Sequence, residues 1–196
     1  MDRAPPALNL PAPGAMDLLL TRRSGSAKAM TGPGPSPAQL DTILAAAARV
    51  PDHGKLFPWR FILFEGEARA RFGQMLAECL PPEEATPERL TMERGRFLRA
   101  PLIVGVISRV REGIPIPVWE QELSAGAVCQ TLLIAATTLG YVANWLTEWC
   151  AFNAKVGERL GLQDGERVAG FVYIGKSTQP LEERVRPELD KIVTRF

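Results

Sequence analysis

One histidine and three cysteines in 196 residues leave this chain little with which to bind a metal or to staple itself together. Cys79, Cys129 and Cys150 form no CxxC pair and no even framework, and His53 stands alone, so neither a Cys/His zinc set nor a disulfide scaffold is indicated. A reducing, cytoplasmic location is the expectation. Charge of one sign is also missing: 23 Lys plus Arg face 22 Asp plus Glu, which argues against a nucleic-acid face or an acidic-substrate funnel built on overall balance. Any cationic site must be local. No apolar run reaches the roughly 20 residues of a membrane span. The longest, Ala125 to Leu139, is interrupted by Gln130, Thr131, Thr137 and Thr138 and reads as a buried helix. The start, MDRAPPALNLPAPGA, lacks a signal-peptide core, and export is not expected. No GxGxxG follows a strand, no GxxxxGK(S/T) occurs, and no GxSxG elbow marks a serine hydrolase. A nucleotide, if bound, must be held by side chains.

The length suits one domain. Residues 1–14 are rich in Pro and Ala and read as a disordered tail, leaving 15–196 as a single folded unit. MDLLLTRRS, from Met16, suits a short helix running into a turn. Ser36, Pro37 and Gln39 form the start signal of a second helix, with Leu40, Ile43, Leu44 and Ala47 as its apolar face, ending before Pro51. Residues 60–66, 101–108, 141–147 and 167–175 read as strands, the second and last as continuous apolar runs covered on both faces. Helices are expected over 67–79, after Thr86, over 121–139 with Gly140 as its stop, and over 153–160. Helices separating apolar strands imply an α+β or α/β sandwich around one sheet. The last twenty-one residues carry too little apolar content to pack alone, and no repeat is visible.

Candidate chemistry concentrates in two places. Arg22, Arg23 and Ser24 supply planar charged donors and a hydroxyl in a small volume, as a phosphate monoester requires, although by spacing alone an adjacent basic pair is more often a solvated patch. The segment Arg49 to Trp59, RVPDHGKLFPW, makes a stiff corner, polar at one end and aromatic at the other, suited to a planar ligand. Within it Arg49 could simply complement a helix dipole and His53 a loop hydrogen bond. Trp59 and Trp145 suit core aromatics and Trp119 a loop plug. Glu120 and Glu122 are no acid/base pair, since residues two apart point to different helix faces. Ser24, Ser124 and Asp52 suggest no hydrolase triad.

An RRS near the start, a PDH loop ending in PW, WEQELSAG before a long apolar helix, GYVANWLT after it, and a terminal VTRF occur in this order from Met16 to Phe196. Together they resemble the FMN-dependent nitroreductase family, especially its compact YdjA-like bacterial branch. The resemblance implies an α+β sandwich with a mostly antiparallel sheet flanked by helices, and a homodimer with FMN at the interface. It also implies a C-terminal segment that extends onto the dimer partner. By the same resemblance Arg22, Arg23 and Ser24 hold FMN phosphate and ribityl. Arg49 and His53 reach the other subunit's flavin, and Trp145, Leu146 and Thr147 line the ring. Ala135, Ala136, Thr137, Thr138, Leu139 and Gly140 form the nicotinamide end, and Arg186 is a further phosphate candidate. The implied activity is NAD(P)H-dependent reduction of a small-molecule electron acceptor, nitroaromatic or quinone-like, by a ping-pong hydride relay through flavin N5. It needs no catalytic protein group, metal, nucleic acid or membrane. Other readings on this resemblance are a flavin-handling or dehalogenating enzyme, or a non-catalytic FMN- or nucleotide-binding regulatory dimer. Two departures bear on acceptor preference: Leu146 stands where a relative has a basic residue, so only backbone contacts carry over there, and the GKLF segment is less polar than in larger nitroreductases.

Overall fold

Both strands expected to be covered on two faces, 101–108 and 167–175, lie at the centre of one sheet. The computed structural model describes Leu8 and residues 11–196. The first helix, α1 (Pro13–Thr21), starts inside the expected tail, so Pro13 and Gly14 are helical. The rest of that expectation falls mainly on residues 1–7, 9 and 10, outside the described residues. The second helix, α2 (Pro37–Ala47), begins at a complete capping box: the Ser36 hydroxyl accepts from the Gln39 N–H, and the Gln39 side chain accepts from the Ser36 N–H. Helices α3 (Ala68–Cys79) and α4 (Pro87–Gly95) follow, the latter capped by Thr86. The long α5 (Val118–Thr138) starts three residues before Gln121, directly after Pro117. Trp119 therefore sits on its first turn, 67% exposed, and plugs no loop. Helix α6 (Ala154–Arg159) is capped by the Asn153 side chain.

The strands are β1 (Met30–Thr31), β2 (Trp59–Glu65), β3 (Leu102–Arg109), β4 (Val142–Leu146) and β5 (Glu166–Ser177). Every recorded pairing is antiparallel: β2 with β3, β3 with β5, and β5 with both β4 and β1. Ile174 is opposite Leu102 on one side and Ala143 on the other, so β4 forms the edge beyond β5. The two-residue β1 is too short to carry a period and was not expected.

Alternation along β3 and β5 divides the core in two. Leu102, Val104, Val106, Val172 and Ile174 face α2 and α5, packing with Ile43, Val128 and Leu132. Ile103, Ile107, Phe171 and Tyr173 face the other layer, where Phe72 of α3, Phe97 and Val156 of α6 cover them. The result is an α+β sandwich with helices on both faces. Among the described residues no helix is long and apolar enough to cross a membrane.

Candidate functional site

The chain leaves α1 at Arg22, and the following loop is sewn onto the edge strand. The Gly25 carbonyl accepts from Asn144 Nδ2 of β4 at 2.7 Å. Gly25 is buried, and a Cβ there would come within 3.1 Å of Val142 Cγ2, tighter than a side chain tolerates without movement. Beside this contact lies a recess of about 280 Å³ lined by Arg23, Ser24, Ser26, Ser177 and Gln179. Arg23 Nε donates to the Glu182 carbonyl at 2.7 Å and lies 3.6 Å from the Glu183 carboxylate. Arg186 is 3.0 Å from that carboxylate, so the C-terminal segment crosses the arginine motif. Arg22 is half-buried, and its guanidinium makes no hydrogen bond or ion pair among the described residues. Arg23 and Ser24 thus share one recess with Ser26, Ser177 and Gln179, which no motif marked, while Arg22 does not line it.

The same strand carries the next three candidates. The Trp145 indole lies across Gly170 of β5, where a Cβ would overlap it, and its Nε1 donates to the Ala169 carbonyl at 3.1 Å. Trp145 remains 37% exposed and is therefore no core aromatic. Leu146 turns to the opposite face and packs against the second core. Thr147, with Trp145, Ser108, Glu122, Phe152 and Arg167, lines a second recess of about 320 Å³. Arg22–Ser24 and Trp145–Thr147 thus share one sheet edge, joined through Asn144.

The His53 corner is built elsewhere. Asp52 accepts backbone N–H groups from Leu56 at 3.1 Å and Phe57 at 2.9 Å, and the loop uses positive φ at Gly54, Lys55 and Phe57. Trp59 is buried and donates to Ser124 Oγ at 3.2 Å, while the Ser124 hydroxyl donates to the Pro51 carbonyl at 2.7 Å. Ser124 and Asp52 are thus occupied in holding the loop. His53 Nδ1 is 2.7 Å from Glu120 Oε2, and Glu122 pairs with Arg167. The two glutamates do serve different faces of α5. His53 lies against Glu120, Leu123, Ser124 and Ala127, whereas Trp145 lies near Glu122 and Gly126. At about 100° per residue these sets fall on opposite sides of the helix. Within one chain α5 therefore separates His53 from Trp145. Arg49 is exposed just beyond the end of α2, with no side-chain partner among the described residues.

At the other end of α5, Ala135, Thr138 and Leu139 line an apolar groove of about 230 Å³ against Thr42, Ile43 and Ala46 of α2. Ala136 is buried in the core, and Thr137 donates back to the Leu133 carbonyl at 2.8 Å. Gly140 takes φ +77° as the helix stop, and its carbonyl accepts from Lys176 at 2.6 Å. At ~1.5 Å per residue, Thr138 lies about 27 Å along the helix from Glu120. The Ala135–Gly140 end and the His53 corner of one chain do not meet.

A buried charge cluster behind β4 was not expected. Arg96 pairs with Glu93 and Glu148, Arg99 Nη1 is 2.9 Å from Glu148, and Tyr173 lies 3.5 Å from the same carboxylate. Burial alone would raise the Glu93 and Glu148 pKa values, but hydrogen bonds to Arg96, joined at Glu148 by Arg99, more than reverse this and leave both below the ordinary carboxylate range. The only sequence signal was Glu93 three residues before Arg96 on a helical stretch.

Known proteins resemble this chain over most of its length. The model of the nitroreductase family matches residues 19–176. "Putative NAD(P)H nitroreductase YdjA" of Escherichia coli K12 is 35% identical over 161 residues, 82% of this chain and 87% of that protein. A Haemophilus influenzae protein named "Putative NAD(P)H nitroreductase" is 34% identical over 173 residues, 88% of this chain and 93% of its own. Among solved structures, a nitroreductase-like family protein from Bacillus cereus superposes with a TM-score of 0.82 at 22% identity, covering 97% of this chain and 99% of that one. A Desulfovibrio desulfuricans protein solved in complex with FMN gives 0.72 at 23% identity, covering 95% and 98%. The chain belongs to the nitroreductase family.

Proposed function

We propose that this chain is an FMN-dependent oxidoreductase that uses NAD(P)H to reduce nitroaromatic or quinone-like acceptors, working as a homodimer. The observation that carries the reading is the Asn144–Gly25 hydrogen bond, which ties a phosphate-type donor loop to the strand that would face a planar ring. The names of the relatives from E. coli and H. influenzae and the FMN bound to the D. desulfuricans neighbour point the same way.

Arg22, Arg23 and Ser24 hold the FMN phosphate and ribityl in this reading, with Arg186 as a further phosphate candidate. Trp145, the Leu146 backbone and Thr147 line the ring. FMN, when bound, would supply hydride transfer between NAD(P)H and the acceptor. The chain's residues therefore bind and orient. Arginine side chains and backbone N–H groups near the ring would stabilise the anionic reduced form, and the Trp145 face gives an aromatic substrate a surface to stack on. Arg49 and His53 serve the other subunit's flavin, because α5 shields them from the Trp145 side of their own chain. The Ala135–Gly140 end receives the nicotinamide.

The test is the absorbance spectrum of the purified protein before and after NADPH. A yellow preparation that bleaches with NADPH and recolours with a nitroaromatic is expected. Bound flavin refractory to both NADH and NADPH would make the chain a regulatory FMN module, and a colourless chain that ignores added FMN would remove the flavin reading altogether.

A further inference from the structure

Glu148 adopts φ +53° and ψ 178°, a backbone region essentially reserved for glycine, immediately after Thr147. Its carboxylate is held from behind the strand by two arginines. Arg96 has a side chain only 5% exposed, and Arg99, at 2.9 Å, is 13% exposed. Glu93, fully buried, holds Arg96 from its other side, so the clamp is itself braced. The N–H groups of Glu148 and Trp149 have no hydrogen-bond acceptor among the described residues. A strained residue persists only where its surroundings over-determine it, and a pair of buried, charge-assisted hydrogen bonds is strong enough to do so.

We propose that Glu148 is a positioning residue: Arg96 and Arg99 grip its carboxylate, hold the backbone in a glycine-type turn, and so present free N–H donors beside Thr147 to the edge of the flavin ring. The inference rests on the FMN reading above, but its conformational half stands on the apo chain alone. A carboxylate that merely paired with arginine would work equally well on an ordinary backbone. A positioning role requires the turn itself.

Glycine and alanine at position 148 separate the two, because both remove the carboxylate and only glycine accepts the turn without strain. In the full chain without flavin, Glu148→Gly is expected to melt above Glu148→Ala, reversing the usual penalty of glycine for unfolded-state entropy. FMN affinity, from quenching of flavin fluorescence on titration, should stay within about threefold of wild type for Glu148→Gly and fall at least about tenfold for Glu148→Ala. Alanine melting at or above glycine, or failure of both variants to fold, overturns the inference, as does equal FMN affinity of the two variants. If glycine melts above alanine while the wild type takes up no FMN, the turn is held as inferred and it is the flavin reading that fails.

Discussion

Arg22 and Ser24 are half-buried and contribute no core contact, so their replacement separates binding from folding. Alanine at both positions should change unfolding free energy by no more than about 0.5 kcal/mol per site, while flavin per polypeptide in the purified protein falls at least about tenfold. Unchanged flavin content would remove them from the phosphate site. Glu93 behaves in the opposite way. It is fully buried between Arg89 and Arg96, and Glu93→Ala takes from the buried Arg96 one of its two carboxylate partners and from Arg89 its own, at a cost of about 3 kcal/mol in urea unfolding. The same carboxylate fixes an acid response. Because Arg96 holds its folded pKa below the ordinary value of 4.5, its contribution is complete above that value and is lost as pH falls through the lower folded one. Glu148 has the same sign. Unfolding followed between about pH 6 and pH 3 should steepen below the ordinary value, and Glu93→Gln should flatten that slope. A slope unchanged by the substitution would place acid sensitivity elsewhere. At this scale the arginine motif and the single histidine were legible because their residue types are rare or paired in the chain. Asn144, Ser177 and Glu148 were not, since their roles come from tertiary neighbours far along the sequence.

The elements were legible where a local rule governs them. The capping box at Ser36 and Gln39 placed α2, and the unbroken apolar run of β3 foretold burial on two faces, which the split core confirms. Two features escaped for opposite reasons. β1 is held by pairing with β5 alone and has no period of its own, and α5 extends back to Val118 through a first turn whose exposed Trp119 gives no inward apolar period. The alternative reading of Trp145 as a core aromatic failed for a further reason: its indole lies on Gly170, and the missing side chain there is what makes room for it at the edge. Gly170→Ala should push the indole off β5, costing about 1–3 kcal/mol and shifting tryptophan emission toward the red as the ring meets solvent. If stability and emission both stay at wild-type values, the indole does not rest on Gly170 in solution.

At the scale of the whole molecule, apolar surface is unevenly distributed. Residues 178–196 are exposed throughout, including Val185, Leu189, Ile192, Val193 and Phe196, and α1 adds Met16, Leu19 and Leu20, all at least half exposed. Trp119 and Leu123 are a further exposed apolar pair on α5. Such a surface on a monomer calls for a partner, and the opposed positions of His53 and Trp145 about α5 give a second copy something to complete. The two arguments are independent, and each is what the proposed homodimer, with its C-terminal segment crossing to the neighbour, requires. Removing residues 181–196 tests this directly. The deletion takes away no buried residue and leaves the β1–β5 pairing in place, so the shortened chain should keep the far-ultraviolet spectrum of the fold. Sedimentation should then find the full chain dimeric and the shortened chain monomeric, with flavin lost along with the partner. A shortened chain that still sediments as a dimer and stays yellow would show that the segment neither joins the subunits nor helps hold the cofactor.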